Sequence, residues 1–234
     1  MEKYHKIQSV YLRCTEKGPN KGKLIDGAWT LPEFKTLADV PWETTEKVDG
    51  TNVRVSYDRE TGEVAIAGRT DRAQLPPHLA AYLSETFTPD ALAAADLPSC
   101  TLYGEGAGHK IQFPAGKGYT AFGDGAGFVL FDVRVGPFWL RRDDVVDVAT
   151  RLRLRSTRQY EDMTLSTAIS VVRDGFPSFL GGIRAEGLVL RAPHGLLRRN
   201  SERLIVKVKT VDFAKGLAPA GTDPGPFSPR PGRE

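Results

Sequence analysis

The chain has 234 residues, 40% hydrophobic and 26% charged, enough to bury one sizeable core, or a core plus a small appendage, and one main globular domain is expected. Lys and Arg number 32 against 29 Asp and Glu, and a net charge of +3 is too weak to imply a polyanion partner by itself, so any nucleic-acid argument must rest on local clusters. Cys14 and Cys100 fit no metal-ligand or redox spacing, no run is long enough to span a bilayer, and the start MEKYHKIQ lacks a secretion signal's apolar stretch; a reducing, cytoplasmic setting with no membrane partner is expected.

Glycine, proline and lysine punctuate the first forty residues (KGPNKGK, Lys17 to Lys23), which read as loops with one strand around Ile7 to Leu12. From Thr51 the pattern sharpens: Val53, Val55 and Tyr57 alternate with Asn52, Arg54 and Ser56, DRETG (Asp58 to Gly62) supplies a turn, and EVAIAG returns, a β-hairpin. Pro76 and Pro77 open a helix over His78 to Phe87. Strands follow at Cys100 to Gly106 (CTLYGEG) and Gly127 to Val135 (GFVLFDVRV), the second apolar on both faces and therefore central. Asp143 to Leu152 and Met163 to Asp174 have amphipathic helical spacing, and Glu186 to Arg191 (EGLVLR) and Arg203 to Lys209 (RLIVKVK) are two more strands. The pattern predicts an α+β fold of antiparallel β-sheets flanked by helices. Proline and glycine dominate Gly216 to Glu234, which reads as a disordered tail behind a domain over residues 1–215.

One stretch raises a chemical question: in TEKVDGTN a lysine, Lys47, precedes an aspartate, a glycine and a strand. A lysine amine is nucleophilic only when neutral, and burial beside other cations lowers its pKa. RLIVKVK supplies such cations, since Lys207 and Lys209, two apart on a strand, share one face while Leu204, Val206 and Val208 take the other. The same pair suits a phosphate. Glu105, among the glycines of YGEGAG, and Glu186, opening EGLVLR, are carboxylates able to hold a ribose hydroxyl or carry Mg²⁺ to a polyphosphate. Phe131 can offer a ring to a base. These residue types together describe nucleotidyl transfer through a phosphoramide.

In order, EKVDGTN, GRT, YGEGAG, FVLFD, AEGLVLR and IVKVK resemble motifs I, Ia, III, IIIa, IV and V of the covalent nucleotidyltransferases, the ligase and capping-enzyme superfamily. Asn52 after GT, and the long segment joining the last two motifs, resemble the T4 RNA ligase 2-like group. The resemblance implies the ligase and capping-enzyme fold, without the C-terminal OB or other second domain of many relatives, because 25 residues follow Lys209. It further implies an ATP-dependent RNA ligase that joins 5′-phosphate to 3′-hydroxyl RNA ends through lysyl-AMP on Lys47 and an RNA-adenylate. Arg69 would then contact the nucleotide, Glu105 the ribose and Phe131 the adenine. Glu186 would bind the metal, Mg²⁺ or Mn²⁺, with Asn52 acting through a water; Lys207 and Lys209 would grip the α-phosphate, and Glu46 would complete the nucleotide site. Asp49 varies within the group.

Arg191, Arg198, Arg199 and Arg203 precede the two lysines with Glu202 as the sole acid among them, a local patch suited to RNA phosphates. A monomer is expected, in repair, from a bacterial or phage source, with a possible end-healing or RNA-binding partner protein. A minimal DNA ligase, a guanylyltransferase, or an inactive RNA-end binding module on the same fold are the alternatives.

Overall fold

The computed structural model describes residues 1–112 and 118–225. In chain order its elements are β1 (Gln8–Ser9), β2 (Tyr11–Arg13), β3 (Leu24–Trp29), α1 (Pro32–Thr36), β4 (Glu43–Lys47), β5 (Thr51–Tyr57), β6 (Val64–Gly68), α2 (Pro77–Thr86), α3 (Pro89–Ala94), β7 (Cys100–Gly108), β8 (Ala126–Val135), β9 (Phe138–Trp139), α4 (Arg142–Arg151), β10 (Arg155–Ser156), α5 (Leu165–Asp174), β11 (Gly187–Arg191), β12 (Ile205–Lys209) and α6 (Thr210–Ala214). The α+β class and the antiparallel sheets flanked by helices are as expected. Where the sequence suggests one core, the chain folds into two compact units, each assembled from separate stretches. No helix among the described residues is long and apolar enough to cross a membrane.

The first unit, Met1–His5, Val48–Thr157 and Ser178–Ile183, is built on a sheet ordered β10-β8-β7-β5-β6, with β9 paired to β8. The expected hairpin forms, Val53 opposite Gly68 and Tyr57 opposite Val64, around a turn in which Asp58 Oδ1 accepts the Glu60 and Thr61 N–H groups. Val53, Val55, Leu102, Phe128 and Leu130 bury one face against Leu79 and Leu83 of α2 and Val145 and Val148 of α4. Each such side chain contributes roughly 1.5–3 kcal/mol of burial. The glycines of YGEGAG serve this core: a Cβ on Gly104 would meet the Phe128 ring at 2.1 Å, and one on Gly106 would meet Leu79 at 2.5 Å. They make room for the protein's own side chains.

The second unit, Lys6–Lys47, Arg158–Pro177 and Arg184–Glu234, holds a sheet ordered β1-β12-β11-β4 and the small β2–β3 pair. Leu188, Leu190, Val206 and Val208 pack against Leu165, Ala168, Ile169 and Val172 of α5. β4 has the polar sequence ETTEK and no alternating apolar signal, yet Thr44, Thr45 and Glu46 are buried. A flanking segment explains this: Arg158 O accepts the Glu46 N–H at 2.9 Å, Thr44 O accepts the Tyr160 N–H at 3.0 Å, and Met163 O accepts the Trp42 N–H at 2.9 Å. The strand is thus paired on both sides, which satisfies its buried backbone.

The tail expected to be disordered from Gly216 packs at its start. Ala218, fully buried beside Leu12, Cys14 and Ile25, donates its N–H to Leu24 O and accepts from Asp26 N, and Pro224 O accepts from Thr15 N and Oγ1. The exposed edge of β3 supplies the pairing partners that composition cannot reveal. Residues 226–234, the rest of that expectation, lie outside the described residues.

Candidate active site

Register places the second unit's polar residues in rows. Lys47 of β4 and Lys209 of β12 both lie opposite Gly187 of the strand between them, and two residues along, Thr45 and Lys207 both lie opposite Val189. These side chains share one face, as alternation requires. Glu186, one residue before β11, bridges the first row: its Oε2 lies 2.5 Å from Lys47 Nζ and its Oε1 2.6 Å from Lys209 Nζ. The backbone there is fixed by Thr210, whose N–H donates to Glu186 O at 2.8 Å and whose hydroxyl donates to Ala185 O at 3.1 Å. Gly187 must be glycine, because at φ +154 a Cβ would stand 2.0 Å from Val208 O.

Two amines, those of Lys47 and Lys209, meet on the Glu186 carboxylate, and a third, that of Lys207, feels both of their charges. Burial, then the charges on Lys47 and Lys209, push the Lys207 amine down to about 8. A depressed amine is expected in this cluster, and Lys207, at the centre of β12, is one.

Glu46 falls elsewhere. It lies opposite Leu188, on the face packed against α5, so its carboxylate points away from the lysines, and it accepts a 2.7 Å hydrogen bond from the Tyr160 hydroxyl. Burial and that carboxylate raise the Tyr160 phenol well above its usual range. Of the arginines proposed for RNA, Arg191 pairs with Glu43 at 3.0 Å and Arg198 with Glu33 at 3.1 Å and Glu202 at 2.8 Å. Arg199 is exposed and Arg203 half-buried.

The remaining predicted residues belong to the first unit. Asn52 and Glu105 are cross-strand partners on β5 and β7, both half-buried, and Asn52 Oδ1 is a buried acceptor without a hydrogen-bond donor. Phe131 sits where the β7–β8 register shifts, so it lacks an opposite residue and is re-aimed, as bulges do. Its ring meets the Tyr4 ring edge-on at 5.0 Å. Arg69 is exposed just beyond β6.

An RNA ligase family model matches residues 40–209. The chain belongs to the RNA ligase family. No curated protein matches it significantly. Among solved structures, variants of Naegleria gruberi RNA ligase are similar: one with ATP and Mn (15% identity, TM-score 0.58, 87% of this chain and 56% of that one), one with AMP and Mn (17%, 0.58, 77% and 52%), and an apo form (16%, 0.59, 90% and 57%). At such identities the likeness is one of fold, and this chain spans a little over half the length of those proteins.

Several residues that shape this RNA ligase domain escape sequence reasoning. In the first unit Asp49 N donates to the Tyr119 hydroxyl at 2.7 Å and Gln112 Nε2 to Gly50 O at 3.0 Å, holding the turn after Lys47. Arg54, fully buried, donates to Gly68 O and Asp71 Oδ1, both at 2.8 Å, and so braces the turn that carries Arg69. Tyr4 donates to Asp132 Oδ2 at 2.8 Å. Each is a long-range contact with no local signal; only the alternation that puts Arg54 inside a strand otherwise lined by valines hints at one.

Proposed function

We propose that this RNA ligase family member seals 5′-phosphate to 3′-hydroxyl RNA ends at the expense of ATP. Lys47, with Lys207, Lys209 and Glu186 gathered around it in one unit, is the observation that carries the reading. In the first step the Lys47 amine attacks the α-phosphorus of ATP; the P–N bond forms, the bond to the bridging β-oxygen breaks, and pyrophosphate leaves. Lys207 and Lys209 stabilise the charge on the α-phosphate, because positioning and electrostatics carry most of phosphoryl-transfer catalysis. Adenylate then passes to the 5′-phosphate of an RNA end, and a 3′-hydroxyl displaces AMP.

For Lys47 to attack, Glu186 must release it. Glu186 beside the lysines fits a divalent cation of the sparsely ligated kind, since Mg²⁺ characteristically takes one or two carboxylates plus waters and phosphates. Glu186 is the carboxylate that would hold it, and the unpaired Asn52 Oδ1 is an acceptor suited to a bound water. Such a cation neutralises polyphosphate charge when bound. Glu105 we assign to the ribose, Phe131 to the adenine and Arg69 to the phosphates, with Arg199 and Arg203 as the RNA-facing cations. Glu46, its carboxylate buried against Tyr160, serves to fix β4 instead.

Incubation with Mg²⁺ and α-labelled ATP tests this. Acid-labile label on denatured protein, lost in Lys47→Ala and discharged by 5′-phosphorylated RNA, is expected. A folded protein, free of prior adenylate by mass, that takes no label would overturn the proposal.

A further inference from the structure

The face that carries Lys47 continues beyond the lysines. Its rows run Lys47, Gly187, Lys209; then Thr45, Val189, Lys207; then Glu43, Arg191, Ile205. Successive rows are about 7 Å apart, so the third lies roughly 14 Å from the first. Val189, the centre of the second row, is a half-buried apolar side chain between a threonine that spends its hydroxyl on Val189 O and the partly buried Lys207. In the third row Arg191 Nη1 meets Glu43 Oε1 at 3.0 Å, with side chains 17% and 29% exposed, so the pair is sheltered but reachable.

This order matches an extended nucleotide. With the α-phosphate at the lysines, the sugar and base lie along the second row and the far edge of the base arrives at the third. There the pair offers a guanidinium donor beside a carboxylate acceptor. Adenine presents the complement, an N7 acceptor beside an N6 amino donor, whereas guanine presents two acceptors, N7 and O6. A guanine O6 would face the Glu43 carboxylate, two acceptors in contact with no proton between them.

We infer that Glu43 and Arg191 read the base edge and make the site select ATP over GTP, an inference that rests on the functional reading above. Arg191 is thereby reassigned from RNA contact to nucleotide choice. A cross-strand ion pair of this kind would otherwise only support the sheet, without touching the ratio of substrates.

The test compares lysyl-nucleotide formation with ATP, GTP and 7-deaza-ATP, which lacks the N7 acceptor. Wild-type protein should use 7-deaza-ATP on the order of tenfold less efficiently than ATP, the scale of one lost base-edge contact. Glu43→Gln, whose amide can donate to O6, should narrow the ATP-to-GTP ratio by tenfold or more, and Arg191→Met should use ATP and 7-deaza-ATP alike. Equal use of ATP and 7-deaza-ATP by the wild type overturns the inference, as does a Glu43→Gln protein with the wild-type ATP-to-GTP ratio. The 7-deaza comparison needs no variant to fold. Absence of label from every nucleotide would instead overturn the functional reading, and this inference with it.

Discussion

Lys207→Met should make the protein more stable and the enzyme dead. The Lys207 amine is pushed from 10.5 to about 8, chiefly by burial and then by Lys47 and Lys209. Taken at full value that shift costs about 3 kcal/mol at neutral pH, at 1.36 kcal/mol per pKa unit. The side chain is only partly buried, so solvent screening reduces the figure to on the order of 1–2 kcal/mol. Below pH 8 the amine is protonated in both folded and unfolded chains, and the cost is present in full. Between pH 8 and 10.5 the unfolded chain binds the proton more readily, so wild-type stability rises with pH; above 10.5 both forms are neutral and the cost is gone. Replacing Lys207 by methionine removes the charge while keeping a flexible chain of similar length. Thermal unfolding at pH 7 should therefore show Lys207→Met a few degrees more stable than wild type, with the gap shrinking as pH climbs from 8 toward 10.5. Lysyl-AMP formation should be lost in the same variant. A gap that is constant across that pH range, or a variant less stable than wild type at pH 7, would refute the reasoning, because methionine's extra apolar burial alone predicts no pH dependence.

Gly187→Ala should destabilise the second unit by at least about 2 kcal/mol, since the new methyl collides with backbone and not with a movable side chain; a denaturant midpoint close to wild type would contradict this. Tyr160→Phe removes the donor to the buried Glu46 carboxylate and should cost about 1–3 kcal/mol in urea unfolding, with much smaller loss when Glu46→Gln is already present. Deleting the chain from Gly216 onward strips Ala218 from β3 and should lower the Tm by several degrees, which differential calorimetry would detect; an unchanged Tm would return the tail to the disordered reading.

What the sequence discloses follows from how far each signal reaches. The hairpin at Thr51 to Gly68, β7, β8, β11, β12 and helices α2, α4 and α5 announce themselves by periodicity, and each lies within two residues of its expected place. Helix α3 carries a local signature, Thr88 followed by Pro89 and Asp90: the Thr88 hydroxyl caps the Ala91 N–H at 3.2 Å. The short α1 and α6 and the glycine-interrupted β3 carry no such pattern, because their stability comes from what they pack against.

The case of β4 shows why the site was only half legible. Strand alternation, applied to RLIVKVK, assigns Lys207 and Lys209 to one face and the valines to the core, which is how they lie. Applied to ETTEK it would have separated Lys47 from Glu46 in the same way, but nothing in that polar run identifies a strand: its burial comes from residues 158–163, more than a hundred positions later. A carboxylate beside Lys47 in sequence therefore resembles a ligand-binding group, while in space it is a buried acceptor held by Tyr160. The lysines could be found because a repeated charge at two-residue spacing is itself a geometric statement. Glu186 could be matched to them only through the family pattern, since the 139 positions separating it from Lys47 are closed by β11 running between β4 and β12, a topology that no local stretch encodes.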